Sequence, residues 1–229
     1  MITFYTAVGK FELRETSEGT HPVIVMCQKE YMVSPQEMLI WSSLMWRISL
    51  YDELKKSYLR KEAEAELNVS MRFEDCLSRL ISRGLVVLAQ SYVGVDSLYD
   101  LLCQLYITPI NDKPSAKMMG FLYLFLMKGV PFRRSLRIFK AQKLTKDEKL
   151  VMSVVRQTQL STAEVIKCIE RGRLDLDTDD KVLDALYDDK DTTCYNIHLS
   201  SRTARAQRGV LQAVTNLYLK KLIMFDVVL

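Results

Sequence analysis

Residues 70–88 read SMRFEDCLSRLISRGLVVL, and the order of apolar and polar residues in this stretch decides the fold. Its apolar side chains recur at the spacing that forms one continuous stripe along a helix. They are Phe73, Cys76, Leu77, Leu80 and Ile81. Gly84 can adopt the left-handed conformation that ends helices, and the β-prone run LVVL follows at once. The stretch therefore predicts a helix that passes directly into a strand.

The same pattern returns near the C-terminus. The second stripe has the same spacing and precedes the β-prone run LIMF, residues 222–225. It consists of Val210, Leu211, Val214, Leu217 and Tyr218. Superposing CLSRLISRGLVVL on AVTNLYLKKLIMF aligns Leu77 with Val214 and Arg83 with Lys220. The sequence therefore predicts two units of related structure.

The two segments FEDCLSRLISRGLVVL and GVLQAVTNLYLKKLIMFDVV resemble the recognition helix and first wing strand of winged helix-turn-helix transcriptional regulators, including the MarR-like and PadR-like groups. The resemblance is one of pattern and covers about half of the chain. It implies an α+β fold that binds duplex DNA without catalysis, commonly as a homodimer and often in a bacterial repressor. The first wing, which would follow Leu88, carries no basic residue, and the acidic insertion described below belongs to neither group.

The remaining sequence supplies the expected domain boundaries. We expect a mostly α-helical α+β chain, with an N-terminal β hairpin at 1–33, from the β-prone runs 4–8 and 23–27, and a first winged-helix domain at 34–110. A helical linker would span 111–143, and a second winged-helix domain would span 144–229 with an acidic insertion at 171–200. Capping boxes at 34–37, 145–148 and 161–164 mark three helix starts.

Composition restricts the function classes. The chain has 229 residues, and 48% of them are hydrophobic, which is enough for a substantial core. Its five cysteines are scattered and include no CxxC pair, so a disulfide framework and a structural zinc site are both unsupported. No apolar run approaches the roughly 20 residues of a membrane-spanning helix. We therefore expect a soluble cytoplasmic protein with no membrane partner.

The strongest candidate for nucleic-acid contact is SSRTARAQR, residues 200–208, which we place at the front of the second unit's third helix. In a helix-turn-helix that end enters the major groove, where Arg pairs with guanine and Gln with adenine. The predicted DNA-binding residues here are Ser201, Arg202, Thr203, Arg205, Gln207 and Arg208. A solvated basic helix end is the alternative explanation, but cations at a helix N-terminus oppose the helix dipole, which favours a functional reason.

The predicted linker contributes two further features. Residues 118–127, which begin at Met118 and end at Met127, are apolar on every side and must be covered, either between the two domains or in a homodimer. Residues 133–149 contain seven basic and two acidic residues. Arg133, Arg137 and Lys140 would share one helix face and extend the DNA-binding surface.

Signals for metal binding and catalysis are weak. Asp175, Asp177 and Asp179 alternate as in a calcium loop, but Asp180 and Leu186 stand where that loop needs Gly and Glu, so we assign the aspartates to capping a helix over 181–187. The two histidines lack metal-ligand spacing, and no phosphate-binding glycine motif occurs. We therefore expect no enzyme activity, no metal and no cofactor.

Three functions remain open at this point. The first is a transcriptional regulator that binds double-stranded DNA through the C-terminal unit. The second is a tandem winged-helix subunit that binds proteins, similar in layout to chromosome-segregation accessory subunits. The third is a replication initiator whose two halves bind repeated DNA. Salt-dependent binding to duplex DNA separates the first and third from the second.

Overall fold

The structure is a computed structural model, and it describes residues 1–16, 19–65, 71–110, 143–187 and 192–227. The described part is α+β, as the sequence predicts, with small antiparallel sheets and a larger helical content. Two of its three sheets have the same internal order and lie in two units of related topology. Most of the buried apolar side chains of both units belong to one continuous core.

The first unit contains a three-stranded sheet whose central strand comes from the N-terminus. Its elements are β1 (Ile2–Ala7), α1 (Pro35–Leu44), β5 (Ser49–Leu50), α2 (Tyr51–Ala65), α3 (Phe73–Ser82), β6 (Val86–Ser91) and α4 (Gly94–Cys103). The strand order is β5-β1-β6, and Phe4 of β1 lies opposite Leu50 on one side and Ala89 on the other. The strand predicted after the third helix is therefore present, and β1 lies beside it.

The second unit repeats this arrangement. Its elements are β7 (Tyr106–Pro109), α5 (Lys146–Val155), β8 (Leu160–Ser161), α6 (Thr162–Glu170), α7 (Asp179–Leu186), α8 (Cys194–Ser201), α9 (Gln207–Leu219) and β9 (Ile223–Asp226). The strand order is β8-β7-β9, with Ile107 of β7 opposite both Leu160 and Phe225. Each unit thus places a strand from before its first helix in the centre of its sheet.

The expected boundaries differ from this pairing at two places. Strand β1 lies ahead of the predicted first domain at 34–110 but completes its sheet, whereas β7 lies inside that range and pairs with the second unit. Most of the predicted linker, including residues 118–127 and the cations Arg133, Arg137 and Lys140, lies outside the described residues. The helical linker and the homodimer seam therefore remain predictions.

The expected N-terminal hairpin also has a different composition. The run at 4–8 does not pair with the run at 23–27, because residues 2–7 form β1. Instead, β2 (Lys10–Thr16) and β3 (Gly19–Met26) form the hairpin, and β4 (Lys29–Met32) adds a third strand beside β3. Cys27 and Gln28 both have positive φ, as a two-residue turn of type I′ between β3 and β4 requires.

Local sequence chemistry accounts for the helix starts. Ser34, Thr145 and Ser161 each accept a hydrogen bond from the backbone N–H of the glutamate three residues later, and that glutamate accepts the N–H of the capping residue. All three predicted capping boxes are confirmed. The predicted core is confirmed too, since Phe73, Leu77, Leu80, Val214 and Leu217 are all buried.

The acidic insertion is part of the packed structure. Leu176, Leu186 and Ile197, which come from the insertion, are buried in the common core. Helix α7 begins at Asp179, two residues before the expected start, and its capping residue is Thr178. Asp175 and Asp177 both pair with Lys181 Nζ, at 2.7 and 2.6 Å. The alternating aspartates therefore stabilise the first turn of α7 as ion-pair partners.

The two units are joined by buried polar contacts. The Tyr218 hydroxyl of α9 accepts hydrogen bonds from the Thr6 hydroxyl and from the Trp46 backbone N–H, both at 3.1 Å. The Gly9 N–H donates to the Phe225 carbonyl oxygen at 3.0 Å. Within the described residues, none of the helices is both long enough and apolar enough to span a bilayer.

Candidate nucleic-acid interface

The basic stretch 200–208 lies across a turn between two helices. Helix α8 ends at Ser201, residues 202–206 form turns, and α9 begins at Gln207. The expectation that the whole stretch forms the front of the third helix is therefore wrong. Its first residues are held by α8, because backbone N–H groups at 202–204 donate to carbonyl oxygens of the last turn of α8.

Two of the predicted DNA-binding residues have structural roles here. Ser201 is buried, and its hydroxyl donates to the Ala163 carbonyl oxygen at 2.9 Å. Arg202 forms an ion pair with Asp100 of the first unit, and its guanidinium lies 5.2 Å from the centre of the Tyr99 ring. Asp100 also lies 3.5 Å from His198 Nε2. Arg202 and Ser201 therefore fix α8 against its neighbours, and the charge of Arg202 is already paired with Asp100.

The later residues of the stretch are accessible. Thr203, Arg205 and Arg208 are exposed, and Gln207 is half-buried at the first turn of α9. The only contact of the Thr203 hydroxyl within the described structure is with the Ser200 carbonyl oxygen, at 3.3 Å. Neither arginine forms an ion pair with a described residue. The two guanidinium groups therefore extend from the start of α9 into solvent.

Two carboxylates lie near this helix start. Glu170 Oε2 accepts the Ala206 backbone N–H at 2.9 Å, which satisfies a donor at the N-terminus of α9. Asp147 of α5 lies against Gly209, since a Cβ atom at that glycine would be 3.4 Å from Asp147 Oδ2. Both carboxylates are thus placed by helix packing and capping, and Asp147 lines a small pocket together with Arg205.

Two groups of exposed residues near this surface were not among the predicted site residues. Gln212 is exposed one turn after Arg208, and the i, i+4 spacing could have identified it. Lys143, Lys146 and Lys149 are exposed before and within the first turn of α5, which packs against α9. These lysines were counted in the linker charge but were not assigned to the site. Helix α9 itself contains no Asp or Glu.

The third helix of the first unit presents different chemistry. Glu74 in its first turn accepts hydrogen bonds from Lys55 Nζ and from the Tyr51 hydroxyl, and the bond from Lys55 contributes most to lowering the pKa of Glu74 to about 2. Arg79 and Arg83 both lie beside the buried Glu37 carboxylate, at 3.2 and 3.8 Å. The cations of α3 are therefore engaged within the first unit, and its front is acidic.

Two features of the described residues bear on metal binding and on thiol chemistry. They include no group of three or more His, Cys, Asp and Glu side chains that could hold a metal ion. Burial raises the pKa of the Cys168 thiol to about 11 and that of Cys103 to about 12. Both thiols are therefore protonated at neutral pH, and a protonated thiol is a poor nucleophile.

The arrangement as a whole is an exposed basic helix face on a rigid scaffold. Its accessible members are Thr203, Arg205, Gln207, Arg208 and Gln212, and Lys143, Lys146 and Lys149 are exposed at the start of α5, which packs against α9. Such a face can bind phosphates through its cations and base edges through Arg and Gln. Comparison of the chain with protein-family models, with curated proteins and with solved structures found no match in any of the three.

Proposed function

We propose that the chain is a DNA-binding transcriptional regulator that reads duplex DNA through α9 of the second unit. The observation that carries the proposal is the solvent face of α9, where Arg208 and Gln212 are exposed one turn apart, Arg205 immediately precedes the helix, and no acidic residue occurs within it. Arg and Gln are the side chains that read guanine and adenine in the major groove.

The topology of the second unit supports this role for α9. In a winged helix-turn-helix the third helix is the reading helix and leads into a strand of the sheet. Helix α9 is followed by β9 after a short turn, and β9 pairs with β7. The lysines at the start of α5 would contact phosphates on one side of the groove, because they are exposed on a helix that packs against α9.

The first unit would serve mainly to hold the second in place. The arginines of α3 are paired with Glu37, and Glu74 and Asp75 lie at its N-terminal end, where a phosphate would be repelled. Two contacts link the units on either side of the proposed interface. The Asp100–Arg202 ion pair lies before α9, and the Tyr218 hydroxyl lies in its last turn. A rigid link of this kind would fix the orientation of α9.

The test is binding of the full chain to random and genomic duplex fragments by fluorescence anisotropy at several salt concentrations. Removing Arg205 and Arg208 together should weaken binding by about 30-fold or more, since each base-reading contact is worth about 1–3 kcal/mol. The salt dependence should flatten by about one unit for each phosphate contact that is lost.

A matched control removes the same charge elsewhere. The variant Arg72→Ala/Lys56→Ala loses two exposed cations of the first unit, one of them at the N-cap of α3. It should bind DNA within about twofold of the wild type, because surface charges more than a Debye length of about 10 Å from the interface are largely screened. Equal affinities for the Arg205→Ala/Arg208→Ala variant and the wild type at the same salt would overturn the proposal.

A protein-binding role is the second candidate, and exposed apolar side chains favour it. Phe11 and Leu13 of β2 are 47% and 59% exposed, and both face the same side of the hairpin sheet. Large apolar side chains side by side in solvent often mark a protein interface. If Phe11→Glu/Leu13→Glu abolishes co-purification of a partner after nuclease treatment while DNA binding of the wild type is absent, the interaction-subunit function takes first place.

A further inference from the structure

A cleft of about 780 Å³ lies where the two units meet. We call it the junction cleft. The first unit supplies most of its wall from α1 and α2, and the second unit contributes the end of α9. It lies at the opposite end of α9 from Arg208 and is separate from the proposed DNA interface. Clefts of about 300–1,000 Å³ are the usual size for small-molecule sites.

Four cations and no carboxylate line the junction cleft. The cations are Arg47, Arg60, Lys61 and Lys221, and no Asp or Glu is among the described residues of its wall. Arg60 has a long contact of 4.0 Å to Glu64, which is not among the lining residues. Neither Arg47 nor Lys221 has an ion pair in the described parts of the chain. The cleft therefore carries positive charge that the protein itself does not neutralise.

The positive charge of Lys61 is disfavoured by its surroundings in the cleft. Burial and the neighbouring guanidinium groups of Arg47 and Arg60 lower the pKa of Lys61. Lys61 Nζ donates to the Ser42 hydroxyl at 3.0 Å, a neutral partner that does not offset its charge. Like charges at close range repel one another, and an anion between them would remove that repulsion.

Aromatic rings form the other part of the wall. Trp41, Trp46 and Phe11 line the cleft, and they include both tryptophans of the chain. Trp41 is held by a hydrogen bond from its ring N–H to the Val8 carbonyl oxygen at 3.0 Å. Trp46 is half-buried, and the centroid of its ring lies 5.5 Å from the centroid of the Tyr218 ring. Trp41 is buried, so the accessible rings of Trp46 and Phe11 are the ones that can stack with a nucleobase.

Two lining residues also have strained backbones. Trp46 and Lys221 have φ values of 64° and 61°, in the left-handed region where a side chain costs about 1–2 kcal/mol. Cys27 and Gln28, the other non-glycine residues of positive φ in the described chain, lie in a hairpin turn, and Lys221 occupies the helix-end position that Gly84 has in the first unit. Strain of this kind persists where the surrounding structure fixes it, often at ligand sites.

We propose that the junction cleft binds a nucleoside monophosphate, with the phosphate among the four cations and the base against Trp46 and Phe11. Phosphate is favoured over carboxylate because several guanidinium and ammonium groups converge, and phosphate offers more oxygens and charge to them. A cationic or neutral ligand would leave the cluster unneutralised. The size of the cleft admits a base, a sugar and one phosphate together.

Tryptophan fluorescence gives a direct test, because both reporters lie in the wall. The full chain is titrated with AMP, GMP, CMP and UMP, and separately with adenosine, ribose 5-phosphate and inorganic phosphate. At least one nucleotide should change the fluorescence saturably and bind at least tenfold more tightly than adenosine, ribose 5-phosphate and inorganic phosphate. Isothermal titration calorimetry of the same samples checks the stoichiometry.

Variants locate the site. Arg47→Ala and Lys61→Ala should each weaken nucleotide binding at least tenfold, and Lys221→Gly should weaken it while leaving the fold intact. Lys56→Ala, on the same helix as Lys61 but outside the cleft, should leave the affinity unchanged within twofold. Thermal unfolding of each variant without ligand separates a lost contact from a lost fold.

Three results would overturn the proposal. They are no saturable response to any of the four nucleotides, binding of adenosine as tight as that of AMP, and binding that is insensitive to both Arg47→Ala and Lys61→Ala. If a hexamer of deoxyadenylate binds more tightly than AMP through the same residues, the ligand of the cleft is a nucleic-acid strand and the proposal of a free nucleotide is wrong. The DNA-binding result for Arg205→Ala/Arg208→Ala does not affect any of these nucleotide measurements. The proposed DNA-binding function and the proposed nucleotide site can therefore fail separately.

Discussion

In both units the helix that leads into the last strand of the sheet, α3 in the first unit and α9 in the second, ends with the same backbone geometry. The Leu85 N–H donates to the Leu80 carbonyl oxygen and the Leu222 N–H donates to the Leu217 carbonyl oxygen, each at 3.0 Å. The residue before the leucine has positive φ in each unit, Gly84 in the first and Lys221 in the second. The units are therefore equivalent at this point, although a lysine occupies the position that favours glycine.

An ion pair is also repeated. Glu37 and Glu148 each close the capping box of the first helix of their unit. Each is also buried beside a cation, at the end of α3 in the first unit and at the end of α9 in the second. The cations are Arg83 and Lys220, the residues that the sequence superposition aligns. One framework of capping box, buried carboxylate and cation thus serves both units.

The two units differ at the N-terminal ends of α3 and α9. Helix α9 begins at Gln207, three residues earlier than its superposed counterpart in α3, and the extra turn carries Arg208. Asp75 occupies the position of Gln212 in that superposition. The framework is thus shared, whereas the surfaces differ in charge. The difference indicates that α3 makes internal contacts and that α9 is the helix free to bind a partner.

The largest expected effect concerns the shared core. Leu80 and Leu217 are superposed and fully buried, so Leu80→Ala and Leu217→Ala should each cost about 2–5 kcal/mol of unfolding free energy. Because the two units share one core, urea unfolding should remain a single transition in each variant. Leu59→Ala, at an exposed site of α2, is the control and should change the stability by less than about 0.5 kcal/mol. Two separate transitions would show that the units fold independently.

The repeated ion pair predicts a smaller, pH-dependent effect. Burial alone would raise the pKa of Glu148, but hydrogen bonds from Lys220 Nζ, the Thr145 N–H and Asn216 outweigh it, so the pKa lies below its ordinary value. Glu148→Gln should therefore cost about 1.5–3 kcal/mol at pH 7, the range for hydrogen bonds to charged groups.

The sign of the pH dependence follows from the lowered pKa. The ionised carboxylate stabilises the folded state above the unfolded-state pKa, and this contribution is lost as the pH falls through the folded-state value. The gap between wild type and Glu148→Gln should thus narrow in acid. Urea unfolding between pH 7 and pH 3 measures it, with Glu64→Gln as an exposed control. A gap that widens in acid would contradict the predicted pKa direction.

Local patterns in the sequence predicted the local structure well. The stripes around Leu77 and Val214, the strands after them and the three capping boxes all depend on residues within a few positions of one another. Such features follow from helix periodicity and from hydrogen bonds between neighbours, so the sequence alone carries enough information to locate them.

Features that depend on distant residues were missed. Strand β1 pairs with β6 more than 80 residues away, and nothing within its own sequence specifies that partner. Arg202 was assigned to DNA from its place in the winged-helix pattern, which contains no sign of its ion-pair partner Asp100, 102 positions earlier in the chain. The junction cleft likewise combines α1 and α2 with the end of α9. In each case tertiary packing decides the outcome.

The smallest expected effect tests the equivalence of the two helix ends directly. Lys221→Gly should stabilise the chain by about 0.5–1 kcal/mol, because relief of the left-handed strain, about 1–2 kcal/mol, exceeds the added entropy of the unfolded chain. Gly84→Ala should destabilise by a similar amount for the same reason. The new Cβ would meet only the Met26 methyl group at 3.6 Å, so strain and not crowding decides the result. Urea unfolding measures both variants, and Lys221→Asn should lie between Lys221→Gly and wild type because asparagine tolerates positive φ. A loss of stability in Lys221→Gly would mean that the lysine side chain makes a folded-state contact worth more than its strain. A gain in stability combined with weaker nucleotide binding would instead show that the second unit retains a strained lysine for the ligand, where the first unit has an unstrained glycine.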